Sequence, residues 1–321
     1  MTAIAPDVAA FYAEAAMTYP LRNAQATGVA ELRAIGERLP PDAQPPVERV
    51  SDHEVDGPAG PVRVRVYRPG SADVLPACIW VHGGGWTLGG IEGTDLHARS
   101  LAVAAGCAVV SVDHRHAPEH RYPAALEDVC AAVRWVFESG RDIGIDVDRI
   151  AIAGISSGGN VAAATCIALR DEGRKLPVFQ LLVAPAVNLD PETPSMQADA
   201  DPSLAAADVH WFWSLYHGGE VRDAPATAMP CNAGSLAGLP PALVLVGAAD
   251  PLADGAVDYA TRLRADGTPA DAIRYPGIGH AIFAMPVELG RQSVNDAAAA
   301  LRRAFDAADA SSTEADNGGS V

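Results

Sequence analysis

The 321-residue chain has no apolar run near the roughly 20 residues that a membrane-spanning helix needs. No run of Lys and Arg offsets the excess of 40 acidic over 23 basic residues. A net charge of −17 repels nucleic acid and anionic lipid alike, so neither is an expected partner. That acidity bears on solubility and not on mechanism. The five cysteines (Cys78, Cys107, Cys130, Cys166 and Cys231) form no C-x-x-C pair. An odd number of widely spaced, mostly apolar-flanked thiols reads as reduced and buried, in a cytoplasmic protein. Residues Met1 to Tyr19 carry Asp7 and Glu14 and no basic stretch, so a signal peptide is not expected. Internal repeats are missing. No glycine-rich loop ends in Gly-Lys-Ser/Thr or spells a dinucleotide fingerprint, which argues against phosphate cradling.

What remains is apolar and patterned. Hydrophobic residues make up 49% of the chain and charged residues 20%, enough for a sizeable core in one large α/β domain or two modest ones. Residues 1–45 read as helical: Val8, Phe11, Tyr12 and Ala15 fall at helical spacing, and a second segment runs from Val29 to Leu39. Pro40, Pro41, Pro45 and Pro46 then form a stiff connector. Such an arm is either a flap or surface packing. Val47 to Val55 predicts a strand. Val62, Val64 and Val66, alternating with arginines, predict its antiparallel partner across a Gly57-Pro58-Ala59-Gly60 turn.

Beyond the hairpin the pattern changes to continuous apolar runs. Pro76–Val81, Cys107–Val112, Ile150–Ile155, Val178–Val183 and Ala242–Val246 have no wet face, as expected of strands buried on both sides. Ala270–Tyr275 adds a last strand. Helices are expected near 94–105, 124–138, 159–172, 253–266 and 292–309. The sum is a mostly parallel, eight-stranded, doubly wound α/β sheet. Asn188 to Leu239 contains no core strand. Its middle, Ser203 to Tyr216, predicts a helix with Ser203 as N-cap and Gly218 as the stop. Long insertions of this kind are usually lids or mobile segments. Ser311 to Val321 is polar and Gly-rich and is expected to be disordered.

The chemistry centres on Gly154-Ile155-Ser156-Ser157-Gly158-Gly159-Asn160, between a predicted strand and a predicted helix. A serine on so sharp a turn presents its hydroxyl, and the residues two before and two after must be small. If Ser157 were the nucleophile, Ile155 would hold the earlier of those places, so the register selects Ser156. A serine that attacks an acyl carbon needs a base, an orienting acid and an oxyanion hole. His280 follows the last strand and is the candidate base, although alone it reads equally as a surface-loop histidine. Asp250 follows the strand Ala242–Val246 and is the candidate acid, or else an N-cap. The chain order Ser156, Asp250, His280 is that of an α/β-hydrolase triad, and each residue follows a strand's carboxyl end. His82-Gly83-Gly84-Gly85-Trp86 also follows a strand, and its N–H groups are free to turn toward one point. The N–H of Ser157 would complete the hole.

His116-Ala117-Pro118-Glu119-His120 matches the H-x-x-E-H pattern of some zinc peptidases. That chemistry needs both histidines on one helix face, and Pro118 between them breaks a helix at a cost of ~3 kcal/mol. No metal is therefore expected there. A structured loop with Glu119 and Arg121 in a polar network is expected in its place.

Together these motifs resemble the hormone-sensitive-lipase-like esterases, the bacterial family IV group of α/β-hydrolases. His82 to Trp86 is similar to the family's HGGG[FW] box, and Gly154 to Asn160 to its G-x-S-x-G-G-N elbow. Asp250-Pro251-Leu252-Ala253-Asp254-Gly255 is similar to its acid box. Asp113 to Ala125 is similar to its D-Y-R-L-A-P-E-H-x-[FY]-P-A-A segment. The resemblance covers roughly 47–305. It implies Ser156, His280 and Asp250 as the triad, with oxyanion donors at Gly84, Gly85 and Ser157 and Gly83 in support. It implies a core of 47–187 and 229–309 under a cap made of the arm, 1–46, and the insertion, 188–228, with a tail from 310 to 321. Trp86, Trp211, Trp213 and Phe283 become candidate pocket walls, or simply cap packing. Hydrolysis of short- to medium-chain esters, no cofactor and a possible homodimer are further implications. An amidase, carbamate hydrolase or lactonase would use the same triad, whereas a ligand receptor on this fold would have lost a member of it. The chain departs from the family in having Ile155 for Asp or Thr, Ser157 for Ala, and His114 and His116 for Tyr and Leu.

Overall fold

A computed structural model describes residues 4–38 and 44–317 of the chain, with side chains described as far as Ala310. All eight expected strands are present: β1 Arg49–Gly57, β2 Gly60–Arg68, β3 Leu75–Val81, β4 Ala108–Asp113, β5 Ile145–Ile155, β6 Phe179–Val183, β7 Ala242–Gly247 and β8 Ala270–Tyr275. They form one sheet in the order β1-β2-β4-β3-β5-β6-β7-β8. The β1–β2 and β2–β4 pairs are antiparallel and all the others parallel. The apolar runs are buried on both faces, as their lack of alternation requires. On β3, Ala77, Ile79 and Val81 join one core layer while Cys78 and Trp80 join the other. On β5, Ile150 and Ile152 divide from Ala151, Ala153 and Ile155 in the same way.

Helices close both faces. The helices α1 Pro6–Thr18, α2 Ala24–Thr27 and α3 Val29–Arg38 precede the sheet. Pro6 occupies the first turn of α1, where its missing N–H costs nothing, and Asp7 complements the positive helix end. The connector prolines Pro40 and Pro41 lie outside the described residues. Within the sheet's connections come α4 Asp95–Ala105, α5 Ala124–Ser139 and α6 Ser157–Asp171, then α7 Pro194–Ala198, α8 Ala206–Tyr216, α9 Ala253–Ala265 and α10 Glu288–Asn317. Val129 and Val133 of α5, Val161 and Ile167 of α6, and Leu263 of α9 pack one sheet face. Leu101 of α4, Leu301 and Phe305 of α10, and Val8 and Tyr12 of α1 pack the other.

Two boundaries differ from expectation. The α8 helix begins at Ala206 and not after Ser203. Ser203 has another partner: its N–H and hydroxyl both donate to Asp201, and Asp208 reaches back to the Ala205 N–H at the helix start. The α10 helix extends to Asn317, into the stretch expected to be disordered, and residues 318–321 lie outside the described residues. Among the described residues, no helix is long and apolar enough to cross a membrane.

Candidate active site

The strand register sets up the site. Val81 pairs with Gly154 across β3 and β5, so the glycine loop and the serine turn emerge side by side. Gly247 pairs with Tyr275 across β7 and β8, so the loops bearing Asp250 and His280 also leave together. The His280 loop then folds back toward β5, fixed by a hydrogen bond from the Ala249 N–H to the Ile278 carbonyl.

Ser156 has φ 58° and ψ −122°, a strained conformation for a residue with a side chain, directly before the first residue of α6. The turn is possible only because its neighbours are bare. A Cβ at Gly154 would stand 2.3 Å from the Gly158 carbonyl oxygen, and one at Gly158 would stand 2.2 Å from that of Val81. Ser156 Oγ lies 2.8 Å from His280 Nε2, and His280 Nδ1 lies 2.9 Å from Asp250 Oδ2. Asp250 is fully buried, and its other oxygen accepts the Leu252 N–H. Asp250 thus holds the turn with one oxygen and the histidine with the other, but it is not the N-cap expected as its alternative role: α9 begins at Ala253 with Leu252 at the cap position and no side-chain cap bond. The Ser157 hydroxyl is buried with no partner among the described residues, in keeping with Ser156 as the serine that meets the base.

Burial pushes the His280 pKa down, but the charge of Asp250, its hydrogen bond and the charge of Asp201 outweigh burial and raise it above 6.5. Asp201 was not singled out in the sequence. It belongs to the insertion and is 1% exposed, and its carboxylate accepts the backbone N–H of His280. Burial and the nearby charge of Asp250 raise its own pKa, against the hydrogen bonds from Ser203 and the charge of His280. In the sequence it is one of two aspartates, with Asp199, in a short polar stretch, and that signal is too weak to distinguish them.

Beside Ser156 lie the Gly83–Gly85 loop and the first N–H of α6, that of Ser157. A helix's first N–H groups have no partner within the helix and carry its positive end. Gly83 sits against the elbow: a Cβ there would lie 2.9 Å from the Ile155 carbonyl oxygen. At Gly85 (φ +58°) an added Cβ would stand 2.4 Å from the ring of Phe212 in α8. Phe212, also missed in the sequence, is therefore the cap residue pressed onto the glycine loop. Trp86 is buried, stacked on Tyr216 at 4.5 Å, and edge-on to Trp213. Its Nε1 donates to Asn160 Oδ1. Trp213 is also buried and donates to the Gly219 carbonyl, while Phe283 stacks on Trp80 beneath the sheet's other face. These are packing contacts; of the four candidate walls only Trp211 is partly exposed, next to Phe212.

The arm and the insertion meet at these same loops. Tyr12 accepts the Gly279 N–H, one residue before His280. Arg22 donates to Asp199 and to the Asp201 carbonyl, and the Asn23 N–H donates to Asp208. Arg33 holds Glu119 with two bonds and also donates to the Thr87 and Ala117 carbonyls. Residues 114–123 form a loop with no helix, as Pro118 requires. Glu119 takes its place in the polar network through Arg33, while Arg115 holds buried Asp128.

A family profile described as the alpha/beta hydrolase fold matches residues 78–284. The chain belongs to the hormone-sensitive-lipase-like, family IV branch of the α/β-hydrolases. It is 40% identical over 302 residues to the carboxylesterase NlhH of Mycobacterium tuberculosis, covering 90% of this chain and 94% of the relative. An ethyl acetate hydrolase of Pseudomonas putida is 32% identical over 228 residues, covering 69% and 71%. The hyperthermophilic esterase of Pyrobaculum calidifontis superposes with a TM-score of 0.87 at 37% identity, covering 94% of this chain and 98% of its own. The protein is a carboxylic ester hydrolase of this family.

Proposed function

We propose that the protein hydrolyses short- to medium-chain acyl esters through an acyl-enzyme on Ser156. The observation that carries this is the unbroken line from Ser156 through His280 to Asp250, at 2.8 and 2.9 Å. Ser156 Oγ attacks the ester carbonyl as His280 Nε2 takes its proton. Asp250, which accepts Nδ1–H, fixes the tautomer and stabilises the imidazolium. The carbonyl oxygen becomes an anion facing the N–H groups of Gly84, Gly85 and Ser157, with Gly83 in support. His280 gives its proton to the departing alcohol, and a water activated by the same histidine releases the acid. The name of the Pseudomonas relative supports small acyl groups. A homodimer, implied by the family resemblance, and a cytoplasmic setting, supported by five unpaired cysteines, belong to the same proposal.

Because His280 acts as a neutral base, kcat/KM falls as pH drops through its pKa. That fall is expected to start above the point set by an ordinary histidine, since Asp250 and Asp201 raise the pKa against burial. The deciding measurement is a p-nitrophenyl ester series from acetate to palmitate on wild type and Ser156→Ala. Turnover is expected to peak at short to medium chains and to drop by about 10⁶ in the variant. A fluorophosphonate should label the wild type alone. Sustained turnover by Ser156→Ala, or a peak at long triglycerides, would overturn the corresponding part of the reading.

A further inference from the structure

At the start of the glycine loop three histidines converge. His82 ends the strand side of the oxyanion loop, and His114 and His116 follow β4. Each offers one ring nitrogen, and these nitrogens lie within 4.8 Å of one another. His82 and His114 are buried, and His116 is only partly so. His82 Nδ1 faces the Gly83 carbonyl at 2.9 Å and His114 Nδ1 the Arg115 carbonyl at 3.1 Å. A carbonyl can only accept, so both Nδ1 atoms carry the proton and both Nε2 atoms present a lone pair. The Nε2 atoms of His82 and His116 are buried with no partner among the described residues. Buried ring nitrogens with nothing to bind are uncommon in folded proteins.

We propose that His82, His114 and His116 form a binding site for a divalent transition metal, Zn²⁺ foremost, at the base of the oxyanion loop. Three imidazoles are the ligand set that suits Zn²⁺, Cu²⁺ and Ni²⁺, with a fourth position left for water. An Nδ1–H given to a backbone carbonyl is also the usual way in which a ligating histidine is oriented. Zinc bonds of about 2.0–2.1 Å place tetrahedral ligands about 3.3 Å apart, so nitrogens that lie within 4.8 Å of one another must close in by up to about 1.5 Å. The His82 and His114 rings now stack at 4.2 Å, 13° from parallel, and that stack must open for both lone pairs to meet one ion. His116 stands edge-on to both and, as the partly exposed member, marks the entry side. The site is separate from the H-x-x-E-H pattern: His116 serves it, and His120 does not. Sequence spacing hid the site because His82 reaches it from a different strand. An ion there would fasten the loop that carries Gly83–Gly85, a structural role and not a catalytic one.

The test is equilibrium dialysis of the full chain against Zn²⁺, with metal analysis, for wild type and for His114→Tyr/His116→Leu, which restores the usual family residues. Wild type is expected to bind one equivalent and to gain about 5 °C in Tm at a hundredfold excess over Kd. The double variant should lose both effects while keeping its ester turnover in metal-free buffer. No stoichiometric binding by wild type, or an equivalent retained by the double variant, overturns the proposal. A second readout does not depend on how the variant folds. Cu²⁺ bound to wild type should show hyperfine coupling to three imidazole nitrogens by electron paramagnetic resonance, and two or fewer would sink the site.

Discussion

The catalytic loops and the cap that covers them are held by different forces. The loops of Ser156 and Asp250 follow buried stretches of the parallel strands β5 and β7, that of His280 follows the half-exposed edge strand β8, and their placement follows from backbone register. The arm and the insertion, proposed to form the cap, contain no strand among their described residues. The insertion's helix α8 is docked by aromatic stacking, Tyr216 on Trp86 and Phe212 on Gly85. The arm buries Val8, Tyr12, Ala24 and Leu32 in the core and adds side chains that reach for backbone carbonyls and carboxylates, among them Arg22 and Arg33. A register cannot slip without turning every side chain to the wrong face. Exposed ion pairs and a few ring contacts are individually weak. The difference implies that chemistry is a property of the core, and that the cap adjusts it.

If so, changes in the core should cost far more than changes in the cap. Asp250→Asn is expected to lower kcat by about 10⁴, with KM nearly unchanged, because the wrong tautomer then faces Ser156. Stopped-flow acylation with a p-nitrophenyl ester would measure this directly. A loss under tenfold would mean that Asp201, and not Asp250, orients the base, and the division between core and cap would collapse. At the seam between the two regions, Gly85→Ala is expected to cost about 10² in kcat/KM, since the new methyl meets the Phe212 ring and displaces an oxyanion donor. Phe212→Ala added to it should restore most of that loss. Strictly additive effects would show that α8 does not press on the loop.

The same division accounts for what could be read in the sequence. Five of the eight strands were legible because an apolar run of five or six residues with no wet face fits little besides a strand buried on both sides, and β2 showed itself by valines alternating with arginines. The triad and glycine loop were legible because a sharp turn and a close backbone approach demand glycine at fixed spacing. Asp201 and Phe212 were not, since their roles depend on where a strandless insertion folds over the sheet. The four aromatic candidates show the same limit. Large rings near a site suit a pocket wall and a packed interior equally, and Trp86, Trp213 and Phe283 proved to be buried in packing. Ser203 misled for a local reason: a hydroxyl fit to cap a helix was also fit to bond Asp201, two residues earlier.

Asp201 offers the finest measure of how the cap acts on the core. Its carboxylate accepts the His280 N–H, and its charge is one of the causes that raise the His280 pKa. Asp201→Asn keeps an acceptor for that N–H and for Ser203 but removes the charge. With one raising influence gone, the folded-state pKa falls, and the acidic limb of the kcat/KM–pH profile should move to lower pH. Well above the limb, where His280 is neutral in either protein, kcat should stay within about threefold, because the change touches no reacting atom. A purely structural role predicts the reverse pattern, a loss of kcat at every pH with the limb unmoved. Arg22 donates to the Asp201 carbonyl and to Asp199, so the arm helps to hold this carboxylate over the histidine. A shifted limb with kcat kept would mean that the proposed cap tunes the pH at which the proposed base becomes available and leaves the chemical step to the core.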